Sequence, residues 1–596
     1  MFVTNNKVGQ LRPSVWHQAL NISLCAVLAV IMFGFVRKNV CFFPITLEVL
    51  CQIFLAETNR RKSRRRVQKL KRQFNSDDLE KKLLEPSSDF TYLASVVGYR
   101  EDPKVFAKCL GSFNECPGLQ TLLIGIDGNE AQDVEMANIV RTVYSENVVF
   151  IELDEPLAYL AERAAEDYIV RELRGSNQPE LPENWTYGDL PPQLRQEAGN
   201  FAMDQVYAKA AEVLQRHNAL YSHRRAPRVI CVSQPHVSKK GILFTNLVLS
   251  TVLGKVNHIP YLWTGDSDTW VMPDTLPLTI GCMVADPKVG GSCSLLGIHN
   301  GHESYISMLG SAIYWSELAL TRGQTGAVDA ADCQPGPCAA FLLAALAPNL
   351  FEWYTQTSLG VKTIVNEDRH LTTKLLLDGW KVTFNTDAIA YTDTPTTLLR
   401  WFLQQIRWAR ATQIETFQYP AVYAIHGPIL FFSAMNRFYG PLSVLILTLR
   451  YVFTGYVARA YSLYDILARI VLVTTYNLLC YQRLAGCSLA FLAISQVFYQ
   501  LPLPGLIVYA TLTALEGGWG TSMRNRKEVQ KSKGAGWEHL RAITAVIIWL
   551  SIVAAAFGRW FANNYASAWL LPSMVVPALC TIVGLYYALL RQSQRA

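Results

Sequence analysis

The chain has 596 residues, of which 51% are hydrophobic and 17% charged, with positive mean hydropathy. That balance is too apolar for a soluble multidomain enzyme and too charged for an all-membrane protein, so the chain divides between bilayer and water. The net charge of +7 does not call for nucleic acid, because nine Lys or Arg crowd into residues 60–72 beside an apolar segment, where anionic lipid headgroups are the simpler partner. Thirteen cysteines lie scattered without CxxC spacing, several inside apolar runs, which indicates reduced thiols and neither a disulfide framework nor a zinc site.

In chain order, residues 15–36 are long and apolar enough for a membrane helix, and 40–56 form a slightly short second crossing, with the turn at Arg37-Lys38-Asn39. Together 1–58 read as an N-terminal transmembrane hairpin, followed by a basic juxtamembrane segment at 59–74. The larger Lys/Arg excess after the second helix puts that segment, and the N-terminus, in the cytoplasm. Residues 75–398 read as an α/β domain, with β-rich runs at 94–97, 122–126, 148–151, 229–232 and 261–263 that mostly end in polar residues. Within it, 154–228 is a polar, Pro-rich insertion expected to be helices and loops.

Residues 399–426 are expected as interfacial helices and 427–596 as a C-terminal transmembrane region. Its apolar stretches lie near 427–449, 466–482, 487–515, 540–557 and 571–590. Leu501-Pro502-Leu503-Pro504-Gly505 interrupts the third and removes two backbone donors, which argues for a re-entrant or interfacial pair at 487–515. Residues 516–533 are then cytoplasmic, and the total is about six crossings, with a basic tail that ends inside.

The chemistry begins with Asp266-Ser267-Asp268 after the run at 261–263. Two carboxylates one residue apart at a strand end can hold Mg²⁺ or Mn²⁺ against a diphosphate; the bland alternative is a solvated turn. Glu367-Asp368 precedes a helical pattern at Leu371, Leu375 and Leu376, so the pair either caps a helix or supplies the base that takes a proton from an acceptor hydroxyl. Gln404 and Arg407-Trp408 offer a guanidinium fork for phosphate and a flat face for a sugar ring, against the alternative of an amphipathic helix at the headgroups. Trp401 and Phe402 are open between interfacial anchors and sugar-stacking surfaces. Glu48 and Arg437, costly in lipid, are expected to face protein or a hydrated path.

Taken in order, these motifs resemble the processive family 2 glycosyltransferases, which include hyaluronan, chitin and cellulose synthases. The resemblance covers most of the chain and implies a GT-A-like cytoplasmic domain inserted between transmembrane helices. By that resemblance Tyr99, Arg100, Glu101 and Asp127 belong to nucleotide-facing loops, and Lys239 helps to hold the nucleotide. Asp266 and Asp268 match the metal-binding pair, and Cys333, Gly336 and Pro337 belong to an acceptor loop. Asp368, with Glu367 beside it, matches the catalytic base. Gln404, Arg407 and Trp408 grip the diphosphate and the acceptor terminus, and Trp519, Gly520 and Thr521 resemble a gating loop most similar to that of hyaluronan synthases.

Several positions depart from the pattern. Asn366-Glu367-Asp368 stands where hyaluronan synthases typically carry Gly-Asp-Asp, while Glu367-Asp368-Arg369 is similar to chitin synthases. Gln404-Gln405-Ile406-Arg407-Trp408 lacks the arginine run of chitin synthases, and Gln334-Pro335 replaces Val-Gly in the acceptor loop. These mixed features leave the sugar open. The insertion at 154–228 is similar to that of fungal members linked to the cell surface and hyphal growth. The resemblance implies an inverting enzyme of the plasma membrane that uses Mg²⁺ or Mn²⁺, takes UDP-N-acetylglucosamine as donor and a growing polysaccharide as acceptor, and exports the polymer. Two rivals remain: a non-processive transferase that glycosylates a lipid, and a membrane scaffold without catalysis.

Overall fold

The structure is a computed structural model that describes residues 13–37, 45–73, 91–131, 133–145, 148–175, 185–220, 228–457, 463–481, 491–516 and 536–595. The turn expected at Lys38-Asn39 lies outside the described residues. Contacts divide the chain into two units, one containing Arg60–Leu296 and Asp329–Thr392, the other Pro13–Asn59, Gly297–Val328 and Asp393–Ala596.

The first unit is built on a mixed sheet. Its strands are β1 (Tyr92–Gly98), β2 (Leu119–Asp127), β3 (Val148–Glu152), β4 (Val229–Gln234), β5 (Tyr261–Asp266), β6 (Trp270–Val271), β7 (Val289–Ile298) and β8 (Ala339–Leu342). A separate small hairpin, β9 (Thr357–Ser358) and β10 (Val361–Lys362), precedes the last strand, β11 (Lys381–Thr392). The nine sheet strands run in the order β3-β4-β2-β1-β5-β8-β7-β11-β6. From β3 to β5 neighbouring strands are parallel, whereas β8 runs antiparallel to both β5 and β7. Parallel strands covered on both faces need continuous apolar runs, and β1 is buried from Tyr92 through Val97. Each of the five β-rich runs read from the sequence falls inside one of β1–β5.

Within 154–228, the helices Leu157–Gly175 and Pro192–Arg216 pack on each other and on the helix Lys239–Val256. The domain is not the single block expected at 75–398, because Gly297–Val328 groups with the second unit. The basic segment pairs with groups of its own unit. Arg66 lies 2.9 Å and Lys62 3.7 Å from Asp329, Arg64 lies 3.6 Å from Asp387, and Ser63 Oγ donates to Asn385 Oδ1 at 2.8 Å. Part of its charge is thus matched by carboxylates of its own unit.

Five helices of the second unit are long and apolar enough to cross a membrane by length and composition: Val15–Met32, Pro428–Thr454, Leu492–Leu512, Arg541–Tyr565 and Ser567–Leu589. This set differs from the expected one. The helix Ile45–Gln73, which turns basic after its apolar start, and Leu463–Cys480, which carries Asp465 and Arg469, are not among the five. Leu492–Leu512 qualifies, yet its helical ladder breaks into Leu492–Gln500 and Leu503–Leu512 at the expected proline site. The helices Gly536–Tyr565 and Leu570–Arg595 approach so closely at Gly558 that a Cβ there would lie 1.6 Å from the Ser573 carbonyl oxygen.

Polar side chains inside this unit pair with one another. Glu48 accepts from Asn436 Nδ2 at 2.6 Å and from Gln52 Nε2 at 3.2 Å, so it faces protein. Arg437 Nε donates to the Ser433 carbonyl at 3.2 Å. Glu317, in the π-helical turn Tyr314–Ala319, takes two contacts from Arg469 Nη2 at 2.7 and 2.8 Å and one from Gln500 Nε2 at 3.0 Å.

Candidate active site

Register places the chemistry in a row. In β4-β2-β1-β5 the ends align as Asp127 with Gln234, Ile126 with Gly98, and Val97 with Asp266. Asp127 ends β2, and the loops that follow the strands carry Tyr99-Arg100-Glu101, His236 and the acidic turn 266–268. Four parallel strands therefore deliver polar groups at adjacent carboxyl ends, the usual ligand position of such sheets.

At β5 the Thr269 amide donates to the Asp266 carbonyl at 3.0 Å and the Ser267 amide to the Val97 carbonyl at 3.1 Å, which fixes the turn against β1. Ser267 Oγ donates to Glu101 Oε2 at 3.0 Å, so Glu101 supports the turn. Asp268 is buried, with Thr269 Oγ1 and Thr392 Oγ1 donating to its carboxylate at 3.4 and 3.3 Å. Lys239 Nζ lies 2.6 Å from Asp266 Oδ1 and 3.4 Å from Glu367 Oε1, which joins the acidic turn to the second acidic pair through one cation. Gly336 closes over this group: a Cβ on it would lie 3.1 Å from both Asp266 Oδ2 and Lys239 Nζ.

Glu367 and Asp368 open the helix Glu367–Leu377, where the helix dipole favours carboxylates, but Asn366 at the cap makes no side-chain capping bond. Glu367 is buried and its carbonyl accepts from Trp353 Nε1 at 2.7 Å; Asp368 is half-buried. Asp368 Oδ1 accepts from the Arg369 amide at 2.7 Å and Oδ2 from Cys333 Sγ at 3.7 Å, which brings the expected acceptor loop to the expected base. The same loop is pinned by the Gln334 amide donating to Thr372 Oγ1 at 2.9 Å, and Pro337 sits inside its turn Gly336–Cys338. Burial opposes the charge of Arg369, but Asp332 at 2.8 Å, together with its other neighbours Cys333 and Asp368, raises its pKa above the ordinary value.

At β2, Asp127 is buried. Val237 N donates to its Oδ1 at 3.1 Å, and His236 Nδ1 lies 2.8 Å from its Oδ2. The His236 ring stacks on Tyr99 with centroids 4.2 Å apart and planes 17° from parallel. Arg100 lies 4.9 Å from the Tyr99 ring and is tied to Asp133 at 2.8 Å and Glu130 at 3.1 Å. The hydrogen bond to Asp127 raises the His236 pKa above its usual value. Sequence reasoning passed over His236, although it stands just past the end of β4.

In the second unit, the helix Leu398–Gln418 turns Trp401, Phe402 and Ile406 into a core with Leu506, Tyr509 and Val546. Trp401 and Phe402 are 1% and 5% exposed, so in this structure they are core residues, and neither headgroup anchors nor sugar platforms. Gln404, Arg407 and Trp408, spaced i, i+3, i+4, share the less buried face, where Trp408 meets Tyr314 edge-on at 6.2 Å. Trp519, Gly520 and Thr521 lie outside the described residues.

Residues 264–491 match the family described as "Glycosyl transferase family group 2". Hyaluronan synthase 3 of Xenopus laevis is 24% identical over 443 residues, 74% of this chain and 70% of that protein. Human hyaluronan synthase 3 is 25% identical over 72% of this chain and 69% of its own length, and hyaluronan synthase 2 of Rattus norvegicus is 23% identical over 73% and 70%. Residues 264–491 thus carry a family 2 glycosyltransferase region, and the chain resembles the hyaluronan synthases. A solved mannosyltransferase from Pyrobaculum calidifontis, in complex with GDP-Man and Mn²⁺, overlaps 77% of the enzyme and 98% of its own chain at 14% identity, with a TM-score of 0.34.

The donor set of the acidic turn suits a hard divalent ion. Asp266 and Asp268 present carboxylate oxygens, and the missing side chain of Gly336 leaves a cradle beside Asp266. Among the described residues no group of three or more His, Cys, Asp or Glu could hold a metal by itself.

Proposed function

We propose that the enzyme polymerises a sugar from a UDP-sugar, UDP-N-acetylglucosamine in the first instance, and exports the polymer across the plasma membrane from a cytoplasmic domain. The observation that carries this is the chain of contacts Asp266, Lys239 and Glu367, with Asp368 and the Cys333–Pro337 loop adjoining it. Asp368 takes the proton from the acceptor hydroxyl, whose oxygen bonds to the anomeric carbon as the sugar–phosphate bond breaks and UDP leaves from the opposite face. Lys239 balances charge on the leaving diphosphate. Asp266 and Asp268 would hold Mg²⁺ or Mn²⁺, which supplies further charge neutralisation when bound. Tyr99, Arg100, Glu101 and Asp127 shape the nucleotide side, Gln404 and Arg407 bind the diphosphate, Trp408 and the Cys333, Gly336 and Pro337 loop seat the acceptor, and Trp519, Gly520 and Thr521 gate the donor.

The five helices long and apolar enough to cross a membrane support a path for the polymer; about six crossings with the basic segments inside, and a role in cell-surface or hyphal growth, belong to the same proposal. The experiment is UDP release by purified protein in detergent, with each UDP-sugar supplied singly and in pairs. Turnover with UDP-N-acetylglucosamine alone is the expected result. A requirement for UDP-glucuronate as well would make the product a hyaluronan-like copolymer, and no release with any UDP-sugar would contradict the proposal in favour of a scaffold.

A further inference from the structure

The buried Asp127 carboxylate cannot meet a ligand directly in this conformation, because its side chain is 1% exposed, whereas the His236 side chain that covers it is 48% exposed. The contacts of His236 fix its tautomer. Nδ1 is hydrogen-bonded to the Asp127 carbonyl at 3.2 Å, an acceptor only, and lies 2.8 Å from Asp127 Oδ2 as well, so it carries a proton in either charge state. What remains for a ligand is the Nε2 edge, a donor when the ring is charged and an acceptor when it is neutral. The ring is also held flat against Tyr99 at 4.2 Å, which orients that edge.

We propose that His236 is a specificity-determining residue of the donor site, reading the nucleobase by donating Nε2–H to a carbonyl oxygen of a pyrimidine dione, with Asp127 as its positioning residue and Tyr99 as its stacking platform. This rests on the UDP-sugar proposal above and assigns the base-reading contact to His236 in place of Asp127. Uracil suits a single cationic donor, since it presents carbonyl oxygens on both sides of N3. The charged groups that face the imidazole are Asp127 from β2, which stabilises its proton, and Arg100 from the loop after β1, which opposes it; Tyr99 faces it with its ring. Because the folded-state pKa is raised, the donor form persists above the ordinary histidine range and is lost as pH rises through the raised value.

The test uses the full-length protein in detergent with Mg²⁺ and measures UDP and GDP binding across pH for wild type, His236→Phe and His236→Ala. His236→Phe keeps an aromatic ring to stack on Tyr99 and removes the donor. It is expected to weaken UDP binding about tenfold, to abolish the fall of UDP affinity with rising pH, and to leave kcat within about twofold while KM rises. GDP binding, weaker than UDP in wild type, is expected to change little. His236→Phe binding UDP as tightly as wild type, or His236→Ala binding it more tightly because the ring only blocks Tyr99, would overturn the inference while the donor proposal stands. Wild-type protein that binds no UDP at any pH would overturn the donor proposal, and this inference with it.

Discussion

At the scale of single residues, the site separates groups that hold the architecture from groups left to react. Glu367 is buried and paired with Lys239, while Asp368 beside it is half-buried and meets only the Arg369 amide and the Cys333 thiol among the contacts given above. Asp368→Asn preserves shape and removes the proposed base, so UDP release should fall by roughly 10²- to 10⁴-fold while UDP affinity stays within about twofold. Equal loss of both would place Asp368 in binding instead. Asp268 carries a different expectation: its carboxylate is fixed by Thr269 and Thr392, and in Asp268→Asn the Mg²⁺ or Mn²⁺ concentration giving half-maximal UDP release should rise about tenfold or more. An unchanged metal dependence would show that the ion is held elsewhere.

At the scale of elements, the helix Leu398–Gln418 shows what spacing can and cannot tell. The i, i+3, i+4 spacing of Gln404, Arg407 and Trp408 places them on one face of this helix, where all three are half-buried. Trp401 and Phe402 stayed ambiguous because an aromatic on a helix beside a membrane looks the same whether lipid, sugar or protein covers it. Only the packing of Leu506, Tyr509 and Val546 decides it. Trp401→Ala should therefore cost about 3–5 kcal/mol and lower the thermal midpoint in detergent, while Trp408→Ala leaves the midpoint near wild type and lowers turnover. A midpoint unaffected by Trp401→Ala would contradict its core role. The five parallel strands were legible because buried β-strands read as short apolar runs. His236 was not, since its significance depends on the β2–β4 register that brings it to Asp127.

At the scale of the whole molecule, the sequence read correctly as part sheet domain and part apolar helices, but hydropathy did not resolve where one gives way to the other. Gly297–Val328 belongs with the helices because Glu317 pairs with Arg469 and Gln500, a link between positions far apart in the chain. Breaking a buried pair leaves a charge without compensation, so Glu317→Ala should cost about 3 kcal/mol and broaden the gel-filtration peak. Topology carries its own check: about six crossings put tags at the two ends of this chain on the same face of sealed vesicles, and an odd number puts them on opposite faces. The most direct test of the central claim is the size of the labelled product made by wild-type enzyme from UDP-N-acetylglucosamine with Mg²⁺ or Mn²⁺. High-molecular-weight polymer that shortens when donor is limiting is the predicted result; label found only in lipid-sized product would contradict polymerisation and establish the lipid transferase in its place.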